Sequence, residues 1–179
     1  MMMVKPRVII LPGNGAGDVW RANWYGTVHK QLVKSDLFSE VVLRNMPDPS
    51  GAKEEVWVPF TLKELGADAN TILIGHSSGA VAALRLLEKN KLLGCLLVSA
   101  CWTDLGDENE RESGYYSRPW PYATIRSNCN WMIQYHSSDD PFIPQAEADH
   151  VAAGLGLKQG EVRCLSIHSS SKGQSKRVL

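Results

Sequence analysis

The stretch "TILIGHSSGAVAALRLLEKN", Thr71 to Asn90, changes period at its middle. Thr71 to Gly75 is a continuous apolar run of strand character. From Gly79 onward the apolar residues recur at helical spacing. The corner between them is Gly75-His76-Ser77-Ser78-Gly79. A Gly-x-Ser-x-Gly turn between a strand and an amphipathic helix is the arrangement called a nucleophile elbow. The serine takes a strained backbone conformation there, so that its hydroxyl stands above the sheet. The flanking glycines are small because strand and helix approach closely. The peptide N–H of Ser78 then faces the helix N-terminus, where unpaired donors and the helix dipole favour a developing oxyanion.

Working outward, strand-length apolar runs alternate with helical patterns. Strands are expected at Arg7 to Gly13, Glu40 to Pro47, Thr71 to His76, Leu93 to Ala100, Trp131 to Ser137 and Glu161 to His168. Helices are expected at Trp24 to Ser35, Val56 to Leu65 with Pro59 in its first turn, Gly79 to Asn90, and Gln145 to Ala153. The strands are continuous in Val, Ile and Leu rather than alternating, as in strands buried on both faces. The fold class is therefore α/β: a mostly parallel, doubly wound central sheet with helices on both faces. Ligands of such sheets bind beyond the carboxyl ends of the strands. Residues 1–168 read as a single domain, and 169–179 as a polar tail of disordered composition.

The 179 residues suffice for one sizeable core. Lysine plus arginine and aspartate plus glutamate number 19 each, so no bulk field points to nucleic acid or an anionic membrane. No run nears the ~18 apolar residues of a membrane span, and the N-terminal run is too short for a signal-peptide core. A cytoplasmic location, with nuclear access, is expected. Cys95, Cys101, Cys129 and Cys164 show neither CxxC nor zinc spacing and read as free thiols. No metal or cofactor is implied.

The second oxyanion donor of an elbow comes from the loop after the first strand. "LPGNGAGD" is that loop here, and the backbone N–H of Asn14 is the candidate, paired with that of Ser78. Gly13-x-Gly15-x-Gly17 has the wrong interval for a dinucleotide fingerprint. The acid should follow a late strand. "SSDDPFIP" offers Asp140, with Asp139 as fallback or a structural cap. Of five histidines, only His168 ends a strand after the acid, 28 residues beyond Asp140, which makes it the candidate base. The loop Cys101 to Trp120 is too long for a plain connection. It reads either as a rim over the site or as a solvated excursion.

Six stretches resemble the retinoblastoma-binding protein 9 family of small serine hydrolases. They are "PGNGAGD" (Pro12 to Asp18), "WYG" (Trp24 to Gly26), "NMPDP" (Asn45 to Pro49), "GHSSGA" (Gly75 to Ala80), "DLGDENERESGYYSRPW" (Asp104 to Trp120) and "SDDPF" (Ser138 to Phe142). The resemblance implies a minimal α/β-hydrolase fold and a Ser–His–Asp triad that includes Ser77 and Asp140. The ending departs from it. The family histidine stands in a Gly-His-Phe-like context before a final amphipathic helix, whereas His168 lies between Ile167 and Ser169. An alternative exon or frame change would give such an ending. The Leu-x-Cys-x-Glu peptide that binds the retinoblastoma pocket is also absent; the corresponding Leu65-Gly66-Ala67-Asp68-Ala69 lacks its cysteine and glutamate. A retinoblastoma partner is therefore not supported. Two readings follow: a serine hydrolase acting on a small-molecule or peptide acyl substrate through Ser77, Asp140 and His168, or a catalytically impaired isoform that serves as a binding protein.

Overall fold

A computed structural model describes residues 4–165. Six parallel strands form one sheet: β1 (Arg7–Leu11), β2 (Glu40–Val42), β3 (Thr71–His76), β4 (Leu92–Val98), β5 (Cys129–Ser137) and β6 (Val162–Leu165). Their order is β2-β1-β3-β4-β5-β6. The helices are α1 (Tyr25–Ser35), α2 (Glu54–Lys63), α3 (Ser78–Leu87), α4 (Glu108–Glu112), α5 (Tyr122–Ser127) and α6 (Gln145–Gly154).

The continuous apolar runs have a direct cause. Successive side chains of a strand point to opposite faces, and both faces are covered. Ile9, Leu11, Leu73, Cys95, Leu97 and Met132 enter one core with residues of α2, α3, α5 and α6. Val8, Ile10 and Ile74 enter a second, smaller core with Trp24 and Tyr25 at the start of α1.

Several elements differ from the sequence reading. All ten residues of α3 are buried. It is a central helix between the sheet, α2 and α5, not an amphipathic surface one. β2 stops at Val42, because beyond its pairing with Ile9 the chain leaves the sheet edge and Asn45 accepts a hydrogen bond from the Val19 amide. α2 begins at Glu54, which puts Pro59 inside the helix rather than in its first turn. Pro59 is exposed, as is Glu55, whose carbonyl loses its helical partner and can turn to water. The short helix α4 lies within the stretch Cys101 to Trp120 read as loop, and α5 follows it in a stretch to which the sequence reading gave no element. Among the described residues no helix is long and apolar enough to cross a membrane. All four cysteines are unpaired, and three of them are buried.

Candidate active site at the carboxyl end of the sheet

Ser77 joins β3 to α3 with φ 51° and ψ −121°, a backbone state that costs on the order of 1–3 kcal/mol for a residue with a Cβ. Packing enforces it. A Cβ on Gly75 would lie 2.5 Å from the Gly79 carbonyl oxygen and 2.7 Å from the Ala80 nitrogen. A Cβ on Gly79 would lie 2.5 Å from the carbonyl oxygens of both Leu11 and Pro12. Every one of these neighbours is backbone and cannot rotate away. The two glycines thus let α3 seat against β3 and β1 together. The Ser77 amide donates to the Val98 carbonyl (2.9 Å), which ties the corner to β4.

Ser78 opens α3, so its N–H belongs to the first turn, where no helical acceptor is available. Asn14 stands beside it: the Asn14 amide donates to Ser78 Oγ at 3.4 Å. The two sequence-derived oxyanion residues are therefore neighbours. Gly13 is close enough to the elbow that a Cβ there would meet His76 Nδ1 at 3.2 Å and Ser77 Cβ at 3.3 Å.

Asp140 follows β5 and is tightly held. Its Oδ1 accepts from the amides of Phe142 (2.9 Å) and Ile143 (3.1 Å), and its Oδ2 accepts from Ser99 Oγ (3.0 Å). Ser99 itself has φ 50° at the end of β4, with its amide bonded to the Tyr135 carbonyl. Asp139 instead receives the Ser137 hydroxyl.

His168 lies outside the described residues. The other four histidines have places of their own. His29 meets the Val41 carbonyl. His150 stacks on Trp102 with ring centroids 3.8 Å apart. His136 is buried on β5 with both ring nitrogens unpartnered among the described residues, and burial lowers its pKa. His76 turns from the serine toward Tyr25. The Gly13 amide donates to Tyr25 Oη (2.9 Å), leaving the phenolic hydrogen for His76 Nδ1 at 2.6 Å. Burial pushes the His76 pKa down to about 4, against the opposing pull of the Asp140 charge.

The long loop is a rim, not a solvated excursion. Buried Arg85 of α3 donates to the carbonyls of Tyr115, Arg118 (2.9 Å) and Pro119 (3.2 Å) and lies over the Trp120 ring. Glu147 of α6 accepts from the amides of Trp102 (2.9 Å) and Thr103 (3.0 Å). Glu110 of α4 reaches Asn14 and Ser78 at the elbow. Sequence reasoning missed Tyr25, Ser99 and Glu110. Only Ser99 carried a usable signal, its place directly after a strand at the ligand-binding end of the sheet. Among the described residues no three His, Cys, Asp or Glu side chains converge as a metal site would need.

A family model described as "Serine hydrolase" matches residues 8–168. The chain belongs to the serine hydrolase family. This serine hydrolase is 50% identical over 157 residues to "Serine hydrolase RBBP9" of Rattus norvegicus, covering 87% of this chain and 84% of that one. Solved structures share its fold. The ydeN gene product from B. subtilis superposes with a TM-score of 0.75 at 22% identity, covering 90% of this chain and 86% of that one. MGS-M2, an alpha/beta hydrolase from a Medee basin deep-sea metagenome library, superposes with a TM-score of 0.62 at 13% identity, covering 93% and 82%.

Proposed function

We propose that this serine hydrolase cleaves a small ester, thioester or amide, including peptide acyl groups, through an acyl-enzyme on Ser77. The observation that carries this is the strained Ser77 corner, held by backbone contacts that leave no room for a side chain at Gly75 or Gly79. Ser77 Oγ attacks the acyl carbonyl carbon, and its proton passes to the His168 imidazole. Asp140 accepts the other imidazole N–H, fixing the tautomer and stabilising the imidazolium. The N–H groups of Ser78 and Asn14 hold the carbonyl oxygen as it becomes an oxyanion. The imidazolium returns its proton to the leaving group, and water then hydrolyses the acyl-enzyme by the same steps.

Labelling of the purified chain by a fluorophosphonate tests this reading. Wild type is expected to be labelled and Ser77→Ala not. Loss of labelling in His168→Ala would assign the base. Equal labelling of wild type and Ser77→Ala would leave the second reading, a binding protein on a hydrolase scaffold.

A further inference from the structure

The loop that carries Asn14 is not stiff by itself. Glycines flank Asn14, and Gly15 has φ 76°. Its position is imposed from outside at three points. The Gly13 amide donates to Tyr25 Oη at 2.9 Å. The Gly15 amide donates to the Pro49 carbonyl at 2.7 Å. Asn14 itself is held by its side chain, whose Nδ2 donates to Glu110 Oε1 at 2.7 Å.

Glu110 Oε1 has a second donor, the Ser78 hydroxyl at 3.3 Å. With its hydrogen turned to Glu110, Ser78 Oγ presents lone pairs to the Asn14 N–H at 3.4 Å. That last contact is long, so an oxyanion placed closer can displace it at little cost. Glu110 is anchored in turn. Its amide donates to the Asp107 carboxylate (3.0 Å), its Oε2 accepts from Tyr116 Oη (3.4 Å), and the side chain of the preceding residue, Asn109, donates to the Ser50 carbonyl (3.0 Å).

We infer that Glu110 is a positioning residue for acyl transfer: by gripping the Asn14 side chain and the Ser78 hydroxyl together, it sets the Asn14 N–H beside the Ser78 N–H and so couples the rim loop to the oxyanion site. The inference rests on the reading of Asn14 as an oxyanion donor. An ionised carboxylate near this point repels an oxyanion, so its benefit lies in its acceptor geometry and not in its charge. Three donors converging on it spread that charge. Glutamine retains the acceptor oxygen without the charge; alanine retains neither.

The test uses the full chain with two readouts: the rate of fluorophosphonate labelling together with kcat and KM on p-nitrophenyl acetate, and the 15N–1H amide signals of Asn14 and Gly15. Losing one oxyanion donor outright costs roughly 100- to 1,000-fold. A misplaced donor should cost less, so Glu110→Ala is expected to label about 10- to 100-fold more slowly, with the loss in kcat and little change in KM. Its Asn14 amide should shift and exchange faster, and Glu110→Gln should restore both. Asn14→Ala, which keeps the N–H but loses the tether, should match Glu110→Ala, and the double variant should be no worse than either. Wild-type labelling by Glu110→Ala, an unmoved Asn14 amide, a loss confined to KM, or a Gln variant as damaged as Ala would each overturn the inference. If wild type labels no faster than Ser77→Ala, the acyl-transfer reading fails separately. The Asn14 amide then decides positioning alone: a shift in Glu110→Ala reversed by Gln supports it, and an unmoved signal overturns it.

Discussion

Single atoms decide the elbow. Gly79→Ala would gain about 1 kcal/mol in helix propensity, but its Cβ would stand 2.5 Å from two carbonyl oxygens. Relieving such a clash in packed backbone costs about 1–3 kcal/mol. The clash should win, giving net destabilisation in urea unfolding and slower labelling of Ser77. Asp140→Asn separates geometry from charge. Asparagine can still accept from the Phe142 and Ile143 amides, so the melting temperature should move by only a few degrees. On the proposed role of Asp140 in orienting the imidazole, kcat/KM should fall by about 10³- to 10⁴-fold. Ser99→Ala, which removes one hydrogen bond to the proposed acid Asp140, should cost about tenfold or less. At this scale the sequence was most legible, since the loop after the first strand, from which Asn14 was chosen, does lie beside Ser77 and Ser78. Glu110 was not legible, because nothing in "DENERE" marks which of its carboxylates turns inward.

Elements are held to one another by a few polar side chains. Arg85 is the strongest case, with its side chain fully buried and its guanidinium spent on three loop carbonyls, Glu88 and the Trp120 face. Lysine keeps the charge but not the planar fork. Arg85→Lys should therefore leave buried carbonyls unpaired and cost about 2 kcal/mol. Limited proteolysis should then cut between Ser113 and Trp120, where wild type resists. The same contacts explain why a charged, aromatic stretch became a rim: helical periodicity could not reveal a guanidinium reaching 30 or more residues along the chain. Pro59 shows the converse error. Proline's preference for a first turn yielded to packing, because Trp57 and Thr61 bury on one side while Pro59 faces solvent.

Over the whole molecule, burial of neutral histidine links stability to pH. His76 titrates near 4 when folded and near its ordinary 6.5 when unfolded. Between those values the unfolded chain holds a proton that the folded chain lacks. Stability is therefore full above about pH 6.5 and declines toward pH 4, by on the order of 3 kcal/mol. His136, also lowered by burial, adds to the same slope. Urea unfolding at pH 7 and 4.5 should show the loss. His76→Gln should be weaker at pH 7, having lost the ring nitrogen that accepts the Tyr25 hydroxyl, yet fall less on acidification. An unchanged slope in that variant would place the effect elsewhere. By itself the sequence determined the alternation of strands and helices, the burial of both sheet faces and the place of the elbow. Each of these is written in local periodicity and in the size of single residues. Tertiary structure alone decided that α3 is buried all round, that Arg85 and Glu147 pin the rim, and that Glu110 meets Asn14 across 96 residues of chain. Those contacts depend on which loops the parallel sheet gathers at its carboxyl edge, and no local spacing encodes that.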